Sequence, residues 1–544
     1  MSGVKALFAR VFADPNPILV KELLSTFRTP LFVRFLYVAT GIVGIIVLMS
    51  GALAASGDTP PSDVGQIVFH LFFGISVAVV SLVAPPTAST VITAEREAET
   101  YESLILTGMR PRRIVWGKFL ATYAVFALVL IAFSPVVGIA FLFGGVSPLQ
   151  VFWGFFGLFL FLGPAVAFGV AVSARVGTTR VAIIASTALF QPASMFLWSM
   201  ITAMAFLAQR EWGTSGSGPF WFAEALSTNF FQLDVFLLVF VLPIYVAGMS
   251  VWFFLETAIA AIRPPAEDRS TRLKVWTAVM VLGQTLIASL LLAFVIEPND
   301  HFGFSYAAQV LGFMIAIFLA AILMNEPPLP PRLASSRPAP RFAGLLSVFG
   351  PGAIPTARYA TVVVGGSVAA LTLVSLVIGY GADSDEQTGL LVVGCGSVAV
   401  AIAYYFVGAW LRVRLGSGIA SRVVAGAFFV IAILVTFFWS ITIDGRSSGP
   451  SEALAASPIV HFISGERVSN GRTGLGVALA EMGIYTCVAV FAAMLLTFRV
   501  KRVMKAIEAR DSRREERRAA RVQSPPSNAL AAPPKDAKGG EQEP

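Results

Sequence analysis

Long apolar runs separated by short polar connections dominate the chain, and none of the runs shows the strict alternation of a half-exposed strand. They fall near residues 31–54, 65–92, 114–143, 149–174, 181–208, 233–260, 275–296, 303–324, 359–380, 390–411, 420–443 and 475–498. A helix needs about 20 residues to cross a hydrocarbon core, and backbone groups in lipid must bond internally, so continuous runs of this length read as helices. The pattern predicts an all-α polytopic membrane protein with about twelve transmembrane helices. Ahead of the first run, Asn16-Pro17 reads as an N-cap followed by proline at the first helical position, opening a short helix to about Arg28. On that helix Leu19, Val20, Leu23, Leu24 and Phe27 share one stripe, opposed by Lys21, Glu22, Ser25, Thr26 and Arg28. Ile18 falls outside the stripe. This is the pattern of an N-terminal interfacial amphipathic helix, with Asn16, Pro17, Lys21 and Glu22 as its marker residues.

Composition agrees: 56% of residues are hydrophobic and 13% charged, too apolar a balance for a water-soluble protein. The basic residues give an orientation. Lys5, Arg10, Lys21 and Arg28 precede the first run, whereas the connection at 56–64 holds Asp58 and Asp63 and no Lys or Arg. Arg175 and Arg180, then Arg263, Arg269, Arg272 and Lys274, then Arg332, Arg337, Arg341 and Arg358, then Arg412, Arg414 and Arg422 mark alternate connections. By the positive-inside rule these lie in the cytoplasm together with both termini, as expected of a multi-pass protein of a bacterial inner or plasma membrane. The division that follows is 1–30, a cytoplasmic N-terminus with the interfacial helix; 31–260, six helices; 261–324, two more; 325–358, a Pro/Arg-rich cytoplasmic linker; 359–498, four more; and 499–544, a basic and then disordered tail. Residues broken by Arg10, Asp14, Pro15 and Pro17 form no cleavable signal, and Cys395 and Cys487 read as packing residues.

Between the second and third runs lies a dense charged island, residues 93–113. As one helix it would place Glu95, Glu99 and Glu102 on a single face, with Leu104, Ile105 and Leu106 as an apolar end and Gly108 as a stop. Such a face offers a partner both charge and apolar surface; the plain alternative is a solvated loop. The run Glu95-Arg96-Glu97 with Thr100, Glu102, Leu104 and Gly117-Lys118 resembles the cytoplasmic signature of ABC-2 type permeases, as does Asn16-Pro17-Ile18-Leu19-Val20-Lys21-Glu22-Leu23. The resemblance covers roughly residues 14–260. Two departures stand out: the family usually has Gly before the Thr where this chain has Glu99, and often Pro after Thr107 where it has Gly108. The resemblance implies the membrane subunit of an ATP-driven exporter, served by a separate ATPase, moving a lipid, glycan, peptide or drug-like molecule. Glu95, Arg96, Glu97, Thr100 and Glu102 are the expected ATPase-docking residues. Whether one chain or a homodimer forms the pathway stays open.

Prolines concentrate in the first half. Pro85, Pro86, Pro135, Pro164, Pro192 and Pro243 lie in runs two to six and none in the last six, so kinks, at Pro85, Pro86, Pro164, Pro192 and Pro243 above all, are expected there. The aromatic stretch Trp212 to Phe231 reads as an outer interfacial helix. Its Gly218-Pro219 and Glu224-Ala225-Leu226 have a counterpart in Gly449-Pro450 and Glu452-Ala453-Leu454, suggesting two diverged six-helix halves. The basic tail leaves a membrane exit, which makes anionic lipid its expected partner rather than nucleic acid.

No catalytic signature emerges. Gly117-Lys118 continues with Phe119 and cannot be a P-loop; Lys118 reads as a snorkelling cation. His70, His301 and His461 are scattered and suggest no metal, and no cofactor is expected. Arg34, Lys118, Asp234, Glu256 and Glu481 lie near run ends, and Gln191, Gln284 and Gln309 read as helix-packing donors. Energy is therefore expected from outside the chain. The competing expectations are a non-transporting scaffold of the same fold and an ion-coupled carrier.

Overall fold

The computed structural model describes residues 16–28, 30–57, 60–214, 218–264, 267–296, 300–323, 350, 352–378, 384–416, 420–421, 423–424, 426–427, 457–470 and 474–523. Among these the regular structure is helical, with no strand. The elements are α1 (Pro17–Arg28), α2 (Pro30–Ala55), α3 (Pro61–Ala88), α4 (Thr93–Glu97), α5 (Tyr101–Leu106), α6 (Pro111–Ala132), α7 (Ser134–Phe143), α8 (Pro148–Arg175) and α9 (Thr179–Ala203). They continue with α10 (Ala205–Trp212), α11 (Trp221–Thr228), α12 (Leu233–Ile262), α13 (Thr271–Phe294), α14 (His301–Leu323), α15 (Ala353–Ile378), α16 (Ser384–Leu415), α17 (Val460–Ser469) and α18 (Leu475–Gln523).

Nine helical stretches among the described residues are long and apolar enough to cross a membrane, which makes the chain an all-α, multi-pass membrane protein. Twelve crossings are not reached. The runs at 31–54 and 303–324 fall on α2 and α14, whose apolar described portions, Thr40–Met49 and His301–Ile317, are shorter, and the run at 420–443 lies almost wholly outside the described residues. So do the Pro/Arg-rich linker up to residue 349, Gly449 to Leu454 and the chain beyond Gln523. Residues 499–523 continue the last span as one helix, α18.

The first bundle is built around α8, which packs on α3, α6, α9, α11 and α12. Small residues along α8, among them Gly154, Gly163, Ala165, Ala167 and Gly169, let neighbours approach closely, which is how membrane helices gain dispersion contact without a hydrophobic drive. At Gly169 a Cβ would stand 2.4 Å from the carbonyl oxygen of Pro85, so α3 leans its Pro85-Pro86 segment directly onto α8. Phe69, Phe72, Phe73, Leu158, Leu162, Val166, Leu255 and Ile259 fill the core.

Pro85, Pro86, Pro164 and Pro192 lie inside helices, as expected. Pro135 and Pro243 differ. Pro135 opens α7 after a break at Phe133, and Pro243 follows a π-helical stretch, Phe236–Val241, so the widened turns ahead of it have already changed the hydrogen-bond register. In the aromatic stretch after α10, α11 buries Trp221, Ala223, Ala225 and Leu226 against α8, held by Trp212, which stacks on Trp221 at 5.6 Å and donates through Nε1 to Asp234.

The second bundle is organised by α16, packed by α14, α15, α17 and α18. Cys395 on α16 and Cys487 on α18 are exposed on the apolar outer surface, not in the packing where the sequence placed them, because the buried side of α16 is taken by Gly394, Gly396 and Ser397.

Candidate functional site at the elbow of the first bundle

The charged island does not form one helix. It bends between α4 and α5, with Glu99 in the left-handed region at φ 58°. The Thr100 N–H donates to Glu95 O at 3.0 Å and the Glu99 N–H to Arg96 O at 3.2 Å, the crossed pair of bonds that closes a helix in a Schellman motif. Glycine is favoured at the residue occupied here by Glu99, because a Cβ is strained there. The predicted acidic face over Glu95, Glu99 and Glu102 is therefore corrected: the bend sends the three carboxylates different ways.

Each residue of Glu95-Arg96-Glu97 has its own structural task. The Glu95 carboxylate lies 2.8 Å from Lys118 Nζ on α6. Arg96 donates through Nη1 to Val176 O at 3.0 Å and through Nη2 to Ala174 O at 2.9 Å, capping the carbonyl end of α8, and its guanidinium sits 5.0 Å from the Tyr101 ring centroid. A cation at a helix C-terminus also meets the negative end of the macrodipole. Glu97 accepts from the Thr179 N–H at 2.8 Å and the Thr179 hydroxyl at 2.6 Å, so the same segment binds the first amide of α9. In return Ser173 Oγ of α8 accepts from the N–H groups of Ile92 and Thr93, at 2.9 and 3.1 Å, which would otherwise be orphaned at the start of α4. Segment 92–97 is thus tied to the turn between α8 and α9.

Lys118 closes the assembly from the other side. Its side chain is 2% exposed, so it does not snorkel to water. The ammonium meets Glu95, Glu22 of α1 at 3.3 Å and the carbonyl oxygen of Val91 at 2.8 Å. Three donors have three acceptors. Next to it, a Cβ on Gly117 would lie 2.7 Å from Asn16 Nδ2 and 3.0 Å from Ile18 Cβ, so glycine is what lets α1 lie against α6. Asn16 serves two helices: Oδ1 accepts from the Ile18 N–H at 3.1 Å as the N-cap of α1, and Nδ2 donates to Arg113 O at 2.7 Å. Ile18, the residue out of step with the amphipathic stripe, is the one that α1 buries, while Val20, Leu24 and Phe27 remain exposed on the apolar side. The misfit in the sequence was the contact.

The structure thus gathers Asn16, Glu22, Glu95 and Lys118, with Arg96 and Glu97 of α4 bonded to the adjoining α8–α9 turn. Pro17 opens α1, and Lys21 points outward. Thr100 serves the bend, and Glu102 stays exposed with Leu106, which is 86% exposed. Compared with family models, curated proteins and solved structures, the chain matches none. Its chemistry must be read from its own geometry. Among the described residues no group of three or more His, Cys, Asp and Glu could hold a metal ion, and the elbow sets one buried cation against two carboxylates as a brace between helices.

A second buried polar cluster escaped sequence reasoning. His461 of α17 places Nδ1 3.0 Å from Glu481 Oε1 of α18 and Nε2 3.1 Å from Ser397 Oγ of α16. Glu481, expected near a span end, is 0% exposed, as is His461. The available signal was a lone carboxylate inside an apolar run with a lone histidine just before it. Gln191 joins α3 to α9 as an acceptor from Ser81 Oγ rather than as the expected donor, whereas Gln309 is buried with neither side-chain polar atom bonded among the described residues. With Gln284, Thr285 and Ser367 it lines a cavity of about 20 Å³, room for one water.

Proposed function

We propose that the chain is the membrane-spanning permease subunit of an ATP-driven exporter, working with a separate ATPase at the end of the bundle that carries α1, α4 and α5. One observation supports this reading above others: the two motifs that resemble the ABC-2 signature, one before the first run and one after the second, converge on Lys118. A braced elbow tied to α1, α6, α8 and α9 at once is suited to pass a push from outside the membrane into four helices. In this reading Glu95, Arg96 and Glu97 transmit force within the chain, and the ATPase contacts what the elbow leaves exposed, namely Glu102 and Leu106 on α5. Both termini and this elbow are cytoplasmic, about twelve helices cross the membrane in two diverged halves, and the basic part of α18 meets anionic lipid.

The test is ATP-dependent export in inside-out vesicles carrying the chain and its ATPase. Glu102→Lys with Leu106→Asp is expected to insert and fold as the parent does, yet to lose ATPase retention and stimulation, while Arg332→Ala with Arg337→Ala loses neither. Retained coupling in the α5 variant together with loss in the linker variant would place the contact elsewhere. Buried Glu481 beside His461 favours a second reading, an ion-coupled carrier, because ionisable groups enclosed within a membrane bundle commonly mark ion paths. Export that follows an ion gradient without ATP would decide for it.

A further inference from the structure

Ser397, His461 and Glu481 reproduce the order of contacts of a hydroxyl, imidazole and carboxylate triad, yet their setting does not suit nucleophilic catalysis. Ser397 lies in the middle of α16, where neighbouring N–H groups are committed to the helix and cannot form an oxyanion hole, and it is 1% exposed, leaving no room for an acyl group. The arrangement suits something smaller. Glu481 sits two turns inside α18 and directs Oε1 at His461, while its Oε2 is buried and has no hydrogen-bond partner among the described residues. A fully ionised carboxylate left so would have neither solvent nor a described donor at Oε2. Among the described residues no other charged side chain is bonded to the pair. From α14 the cluster meets the Phe313 ring, 5.3 Å from the imidazole, and Tyr306, which donates to Phe462 O. From α18 comes the phenol of Tyr485, one turn on; from α16, Cys395 is exposed on the outer surface. Glu466 and Arg467 lie further along α17, where Glu466 is exposed. α15 brings Thr372, packed against Gly394.

We infer that Glu481, His461 and Ser397 form a proton-binding site that holds one proton when α17 is seated against α16 and α18, and that loss of this proton unseats α17. The charge states of the pair explain the number. Carboxylate with imidazolium, or carboxylic acid with neutral imidazole, each carries one proton and no net charge, whereas one proton fewer leaves a bare anion in an apolar enclosure. A carboxyl and an imidazole in water titrate near about 4.3 and 6.5, so where unseating α17 admits water to the pair, the seated state holds one proton more than the open state above about pH 6.5. Seating is therefore strongest between about pH 4.3 and 6.5 and weakens as pH rises above that, with the opening equilibrium growing about tenfold per pH unit. Bringing α17 home also requires close approach: a Cβ on Gly396 would stand 2.4 Å from His461 Cβ, and one on Gly465 2.4 Å from a methyl of Val393. The same short helix that carries the histidine is thus the element with no slack.

The experiment is hydrogen exchange of peptides covering 457–470 in the full-length protein in lipid nanodiscs, from pH 6 to 9, corrected for the intrinsic pH dependence of exchange, with α8 peptides as internal control. The parent is expected to lose protection in α17 about tenfold per pH unit above about 6.5, with α8 unchanged. Glu481→Gln is expected to keep α17 protected with no pH slope, since no proton is then gained on seating. His461→Gln should keep the slope, because Glu481 alone still needs its proton, and Ser397→Ala should leave it unaltered. Absence of a slope in the parent, or an equal slope in Glu481→Gln, would overturn the site. Should Glu481→Gln not fold, Glu481→Met takes its place, and the parent slope against the α8 control remains decisive.

Discussion

The elbow around Lys118 and the cluster around His461 bury ionisable groups in the two bundles by opposite means. Lys118 is a fixed cation with an acceptor for each donor and two carboxylates to oppose it, and both carboxylates keep an edge toward water, at 31% and 18% exposure. Glu95 Oε2 has no bond among the described residues, yet the charge is answered through Oε1. Glu481 and His461 have each other and Ser397, neither is exposed at all, and their joint charge depends on one proton. A buried cation answered by two carboxylates braces the structure without a shared proton; a carboxylate answered only by an imidazole braces it only while their common proton stays.

The largest effect expected from breaking this contrast is at Lys118. Lys118→Met leaves Glu22 and Glu95 facing each other with no cation, and removing one member of a buried ion pair costs about 3–5 kcal/mol. Unfolding in mixed micelles should show it, and adding Glu95→Gln should recover part of the loss through a non-additive term in the double-mutant cycle. At the other cluster, Glu481→Gln should change stability at pH 6 by less than half as much, measured the same way, because it removes a carboxylate that was incompletely answered.

Two smaller tests sharpen the elbow alone. Gly117→Leu puts a side chain where Asn16 and Ile18 lie, and overpacking of this kind costs about 1–3 kcal/mol. It should lift α1 from α6 and speed tryptic cleavage after Lys21. Glu99→Gly should stabilise by about 0.5–1 kcal/mol, the relief of left-handed strain exceeding the added freedom of glycine in the unfolded chain. A small rise in midpoint checks it; a fall would mean that the Glu99 side chain serves the bend.

The helical class was legible because apolar length alone decides it in a chain like this one. α1 was legible from Asn16-Pro17 and its stripe, though not its docking: Ile18 looked misplaced until Gly117 was seen to receive it. At the elbow the residue types were visible and their pairing was not. Lys118 at the mouth of an apolar run fits a snorkelling cation equally well, and its partner Glu22 is 96 residues away. The bend at Glu99 left no mark because glutamate has no preference for that conformation. The His461 cluster joins residues 20 and 64 apart across three helices, a proximity that periodicity within a single run does not encode.

Helix α18 runs unbroken for 49 residues, from Leu475 through the span to Gln523. At 1.5 Å per residue that is a rod of about 74 Å, and Arg521 stands roughly 60 Å along it from Glu481. Pivoting where it packs in the bundle, such a rod would act as a lever. Tilting α18 by roughly ten degrees about Glu481 sweeps Arg521 through about 10 Å, so a proton exchanged at one end would be legible as a moved patch of positive charge at the other.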